Sequence, residues 1–128
     1  MKINYLFLAA ALALPAGVAL ADGDPVAGAK VFKQCAACHT ATEPKNRVGP
    51  SLMGIVGRPV ATFEGFKYSK AMAEFGADGK TWTEELLEEY LPKPKDLVKG
   101  TTMTFAGLKK EDDIENIIAY LKDPAAAK

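Results

Sequence analysis

The chain has 128 residues, the length of one domain, and its 16 basic side chains balance 16 acidic ones. With no positive excess, nothing in the composition points to a nucleic-acid partner. Two cysteines and one histidine fall short of the Cys/His set of a structural zinc site.

At the start, Lys2 precedes a largely apolar run from Ile3 to Leu20, broken by Pro15 and Gly17 and ending in Ala19-Leu20-Ala21. A basic start, an apolar middle and a small-x-small end predict a secretory signal peptide over residues 1–21. A retained anchor is the rival, since about 20 apolar residues span a bilayer. Pro15, Gly17 and the Ala-x-Ala end favour cleavage. The expected mature domain, 22–128, then carries 15 basic and 16 acidic side chains. So small a domain has a thin core and benefits from an added stabilising element. Export also exposes free thiols to oxidation.

A helix is predicted from Asp24 to Cys38, with Asp24 as cap, Pro25 in the first position, and Val31 and Phe32 apolar. Gly28 is unfavourable there by about 1 kcal/mol relative to Ala, so close approach by another element is expected. Residues 40–67 read as irregular wall, punctuated by Gly49, Pro50, Gly54, Gly57, Pro59 and Gly65. A short helix is expected over Ser69–Phe75, then a turn at Gly76–Gly79. Thr83 caps a helix to Leu91 with Glu84 and Glu85 in its first turn; Leu86, Leu87, Tyr90 and Leu91 form its apolar stripe, and Pro92 ends it. One helical turn is expected over Pro94–Val98, and Lys99–Gly107 reads as a loop. The last predicted helix runs from Lys110 to Lys122, with Ile114, Ile117, Ile118 and Leu121 at core-facing spacing. The tail to Lys128 is expected to fray. No repeat and no strand is expected.

The chemistry centres on Cys35-Ala36-Ala37-Cys38-His39. Cys-x-x-Cys-His is the form in which a haem is attached through two thioethers, leaving the histidine to bind iron axially. A redox disulfide would favour a βαβ setting, which is absent here. With no second histidine, methionine is the natural donor for the sixth position. Met53, Met72 and Met103 remain, and any methionine can simply fill core volume. Met103 is preferred because it sits in a polar loop among threonines.

Further motifs extend the pattern: Gly28-x-x-x-Phe32, Val48-Gly49-Pro50-Ser51-Leu52, Gly57-Arg58, Gly65-Phe66-Lys67-Tyr68-Ser69, Thr81-Trp82-Thr83, Glu89-Tyr90-Leu91, Gly100–Gly107 around Met103, and Ile118-Ala119-Tyr120-Leu121. In this order, over about the full expected mature length, they resemble a class I cytochrome c of the short bacterial periplasmic, mitochondrial-like type. The resemblance implies an all-α fold, three main helices plus loops wrapped around one haem c covalently bound through Cys35 and Cys38. His39 and Met103 would be the iron ligands. It also implies that Gly28 and Phe32 pack against Ile117 and Tyr120. The Pro50 carbonyl would accept a hydrogen bond from His39; Arg58, Tyr68 and Trp82 would hold the haem propionates; Tyr90 and Thr101 would bond near the axial sulfur and a propionate. Two positions depart from the pattern. Lys99 stands where a proline usually precedes the methionine loop, and Met72 where an asparagine often sits near the haem.

The resemblance further implies a monomeric periplasmic one-electron carrier, not an enzyme, since both axial positions are filled. It would run from a quinol–cytochrome c reductase to a terminal oxidase or photosynthetic reaction centre. Lys93, Lys95, Lys99, Lys109 and Lys110 face one acid, Asp96, in their window, and Lys33 flanks the attachment site. These lysines suit docking on acidic faces of redox partners, with no stable membrane insertion. The rivals are a peroxidase-like protein with an open sixth position and a sensing module signalling through exchange at Met103.

Overall fold

A computed structural model describes residues 23–128; the expected leader, 1–21, lies outside the described residues. Five α-helices follow in order: α1 Pro25–Phe32, α2 Lys70–Phe75, α3 Glu84–Tyr90, α4 Pro94–Leu97 and α5 Glu111–Lys122, with a closing 3-10 turn at Pro124–Ala127. Among the described residues the only β pairing outside a strand is a single antiparallel bridge between Pro59 and Thr81.

Helices α1, α2 and α3 start where a side chain accepts from a first-turn N–H that has no backbone acceptor, and α4 starts at Pro94, which has no N–H to satisfy. Asp24 accepts from the Val26 N–H at 2.9 Å, Ser69 from the Met72 N–H at 3.1 Å, and Thr83 from the Leu86 N–H at 3.1 Å. Helix α5 has no side-chain cap but carries Glu111, Asp112 and Asp113 in its first turn and Lys122 in its last, complementing its dipole.

The crossing of α1 and α5 is the most extensive helix pairing in the molecule. Ile114, Ile117, Ile118 and Leu121 are buried on one stripe of α5, and Val31 and Phe32 on α1. Burial of such a side chain contributes about 1.5–3 kcal/mol. The Phe32 and Tyr120 rings meet at 5.4 Å. Gly28 explains the closeness: a Cβ there would strike the Asn116 carbonyl and lie 2.7 Å from the Tyr120 Cβ. The tightest neighbour is thus α5 backbone at Asn116 rather than Ile117. Asn116 also accepts from the Asp24 N–H at 2.8 Å, tying the start of α1 to the same turn.

Two expectations change. The first helix stops at Phe32, because the N–H groups of Lys33, Gln34 and Cys35 turn to carbonyls three residues back. The Phe32 carbonyl takes both Cys35 N (2.8 Å) and Ala36 N (3.0 Å), and a separate turn then closes from His39 N to Cys35 O at 2.9 Å. The tail does not fray: Ala126 N reaches Asp123 O at 3.1 Å, and small alanines let this turn pack against α1.

The wall at 40–67 has no regular element, yet it is fastened to the start of α3. Val60 N donates to Lys80 O at 2.9 Å, Trp82 N to Arg58 O at 2.9 Å, and Gly57 N to Trp82 O at 2.7 Å. This ladder puts Arg58 and Trp82 on neighbouring backbone.

Candidate haem site

Cys35 and Cys38 are free and half-buried on the single turn that ends at His39. Burial, and then the neighbouring Cys38, pushes the Cys35 thiol up to about 11, so it stays protonated and neutral at physiological pH. Cys35 packs against the same buried cluster as Met103 and Phe105, joining the two chain regions on one core.

His39 is oriented by backbone. Its Nδ1 lies 2.7 Å from the Pro50 carbonyl, which can only accept, so the proton sits on Nδ1 and Nε2 keeps its lone pair. Burial holds the imidazole below its ordinary range, partly opposed by the Pro50 bond. Gly49 makes the approach possible: a Cβ there would fall on the His39 ring, 2.8 Å from Nδ1.

Met103 is presented from the other end of the chain. Its backbone N–H donates to Thr101 Oγ1 at 3.2 Å, and the Tyr90 hydroxyl donates to its sulfur at 3.8 Å. Burial pushes Tyr90 up to about 12, so it remains a phenol able to donate. Of the alternatives, Met53 is 39% exposed and lies outside the core cluster, whereas Met72 packs against it. Neither sulfur receives a hydrogen bond from the described residues.

Arg58 and Tyr68 come together with the wall. Arg58 donates from Nη1 to the Met53 carbonyl (3.1 Å) and from Nη2 to the Ser51 carbonyl (2.9 Å). Its Nε is buried and has no partner among the described residues. Burial lowers its pKa and Tyr68 opposes that change. The Tyr68 hydroxyl accepts from the Phe63 N–H at 3.0 Å, and the Arg58 guanidinium sits 4.7 Å from the Phe63 ring centre. Trp82 is buried between Phe75 and Tyr90, with ring centres at 6.1 and 4.8 Å. A surface hollow of about 510 Å³ between α3 and α5 is lined by none of Cys35, His39 or Met103.

Sequence reasoning missed Asn46, whose side chain spans the wall, and the staple made by Lys109, whose ammonium donates to the Pro92 and Ala106 carbonyls, both at 2.9 Å. Both lie in polar stretches whose pattern signals only exposure.

Two thiols on one turn, an imidazole with Nε2 unengaged, a supported thioether and an orphaned buried Arg58 N–H form a donor set that fits a haem with its iron and carboxylates. Fold and donor set together define a small helical c-type haem protein. The comparisons agree. The cytochrome c family profile matches residues 25–124. Cytochrome c2 from Afifella marina is 50% identical over 102 residues, covering 78% of this chain and 82% of that protein. Cytochrome c-550 from Ancylobacter novellus is 48% identical over 99 residues, covering 77% and 92%. The structure of cytochrome cH from Methylobacterium extorquens is similar at 40% identity with a TM-score of 0.72, covering 78% of this chain and 98% of that one.

The chain belongs to the cytochrome c family. It is an electron carrier with one covalent haem c, whose attachment motif Cys35 and Cys38 fit, and not an enzyme. Its partners are redox proteins. No described helix is long and apolar enough to cross a membrane.

Proposed function

We propose that this protein is an exported, periplasmic one-electron shuttle whose haem iron is held by His39 and Met103. The observation that carries the reading is the Tyr90 hydroxyl on the Met103 sulfur, since no other methionine sulfur receives a donor among the described residues. When bound, the haem supplies reversible one-electron chemistry at iron. The chain's part is to orient and to exclude water. The Pro50 carbonyl fixes the His39 ring. Tyr90 and Thr101 hold the Met103 segment in place, and Arg58, through its unpartnered Nε–H, together with Tyr68 and Trp82, would hold the haem carboxylates.

Electrons pass from a quinol–cytochrome c reductase to a terminal oxidase or a photosynthetic reaction centre. Docking uses exposed Lys33, Lys95, Lys99 and Lys110 against acidic partner faces, giving fast, salt-sensitive encounter. Lys93 is paired with Asp96 at 3.4 Å and Lys109 with carbonyls, so each adds charge to that field while held in place.

Redox titration of the purified holoprotein with visible spectra tests the reading. The expected result is thioether-bound haem, a low-spin ferric spectrum and a far-red methionine–iron band. In Met103→Ala the band should vanish and the potential fall. A high-spin spectrum with ready cyanide binding in the unaltered protein would favour an open-site protein. A band that survives Met103→Ala would move the ligand to Met72 or Met53.

A further inference from the structure

The Pro50–Ser51 peptide is used at both ends. Its carbonyl accepts from His39 Nδ1 at 2.7 Å, and its N–H donates to Asn46 Oδ1 at 3.0 Å. The other end of the same Asn46 amide donates from Nδ2 to the Glu64 carbonyl at 3.0 Å, eighteen residues along the chain. Asn46 is half-buried in a stretch whose neighbours are exposed, and Ser51 is fully buried. On the far side of Ser51, the Arg58 guanidinium holds its carbonyl at 2.9 Å, and the Thr40 hydroxyl meets its Oγ at 3.1 Å. The peptide plane therefore cannot turn without breaking several bonds.

A peptide whose N–H is already donating carries more negative charge on its oxygen and is a better acceptor, since bonds in a chain polarise one another. A stronger acceptor at Nδ1–H gives the imidazole more imidazolate character and raises the basicity of Nε2. More electron donation to bound iron favours the ferric state. We propose that Asn46 is a positioning residue that sets the donor strength of His39 through the Pro50–Ser51 peptide, lowering the reduction potential, while its Nδ2 ties that peptide to the loop at Glu64. The proposal rests on His39 being an iron ligand, as proposed above.

The alternative is that Asn46 only ties two loops together, and the two roles give different readouts. Asn46→Leu and Asn46→Ala both remove the acceptor without adding charge, the alanine form serving if the leucine form does not fold. Thr62→Val loosens the neighbouring loop by losing the bond to the Pro59 carbonyl and leaves the peptide untouched. On the holoproteins, the expected result in the Asn46 variants is roughly tenfold faster exchange of the Ser51 amide proton. The His39 Nδ1 proton resonance should shift, and the potential should rise, with the reduction equilibrium against a fixed mediator changing by about threefold. Thr62→Val should lower the melting temperature without moving the potential or that resonance. Faster Ser51 exchange with an unchanged potential and Nδ1 resonance would overturn the proposal, as would an equal rise in Thr62→Val. If the unaltered protein lacks the low-spin, far-red-banded spectrum, the ligand assignment itself fails. If that spectrum is present and the Asn46 variants keep the parent potential, only this inference fails.

Discussion

The loops that present His39 and Met103 are built in opposite ways. On the histidine side the backbone bonds to itself: Gly49 N to Cys38 O at 2.8 Å, Arg47 N to Gly49 O at 2.9 Å, Leu52 N to Thr40 O at 2.8 Å. On the methionine side, from Thr102 to Gly107, no backbone N–H donates to a backbone carbonyl among the described residues. That loop is held by side chains, namely Thr101, Tyr90 and Lys109. Backbone bonds in a shared network must break together, whereas side-chain ties can release one by one. The nitrogen side is therefore a fixed support and the sulfur side a latch. In a urea titration of the holoprotein, the far-red band should be lost before the helical signal.

The largest effect should come from breaking the rigid side. Gly49→Val places a branched side chain where the His39 ring lies, with neither backbone nor ring free to move away. The expected loss is about 3 kcal/mol, the upper end for overpacking. The measurements are the urea midpoint and the haem absorbance per mole of purified protein. A Gly49→Val holoprotein as stable as the parent would show that the histidine side yields, and the contrast with the latch would disappear.

How much of this was legible in the sequence follows the same division. Helices α3 and α5 were readable because capping and apolar spacing are local signals, and Thr83 and the α5 isoleucines behave as their spacing dictates. The end of α1 was not, because Phe32 is a good helical residue and only the tertiary demand of the following turn tightens the chain there. Within the site, the reach of His39 to Pro50 and of Tyr90 to Met103 came from family resemblance, since nothing in the local spacing requires either. Asn46 stayed invisible for a physical reason. Its partners, Ser51 N and Glu64 O, are backbone atoms that any residue supplies, so no side-chain pattern marks the contact. Lys109 read as a docking charge because an exposed lysine and a lysine bonded to carbonyls look alike in sequence.

A smaller effect should follow from loosening the latch. Lys109→Met keeps the unbranched stem and removes both bonds to the Pro92 and Ala106 carbonyls. The ammonium is exposed, so the expected loss is about 1 kcal/mol. It should appear as loop opening: the imidazole concentration that displaces the sulfur should fall by roughly fivefold. The His39 Nδ1 proton resonance should stay in place. Movement of that resonance would mean that the two sides are coupled and cannot be treated as separate supports.

Tyr90→Phe should have the least effect on stability. The ring remains packed 4.8 Å from Trp82, so the core loses no volume, and the unpaired thioether is a weak acceptor that tolerates the loss. Removing a neutral hydroxyl bond of this kind costs about 0.5–1 kcal/mol. The change should be local to the sulfur: a displaced far-red band and roughly two- to fivefold easier displacement by imidazole, with the urea midpoint of the helices nearly unmoved. Burial pushes the phenol up to about 12, so it stays neutral through neutral and mildly alkaline pH, and this difference between the two proteins should be flat across that range. A loss of overall stability well above 1 kcal/mol would make the hydroxyl a structural support, and the sulfur side would then be as firmly built as the nitrogen side.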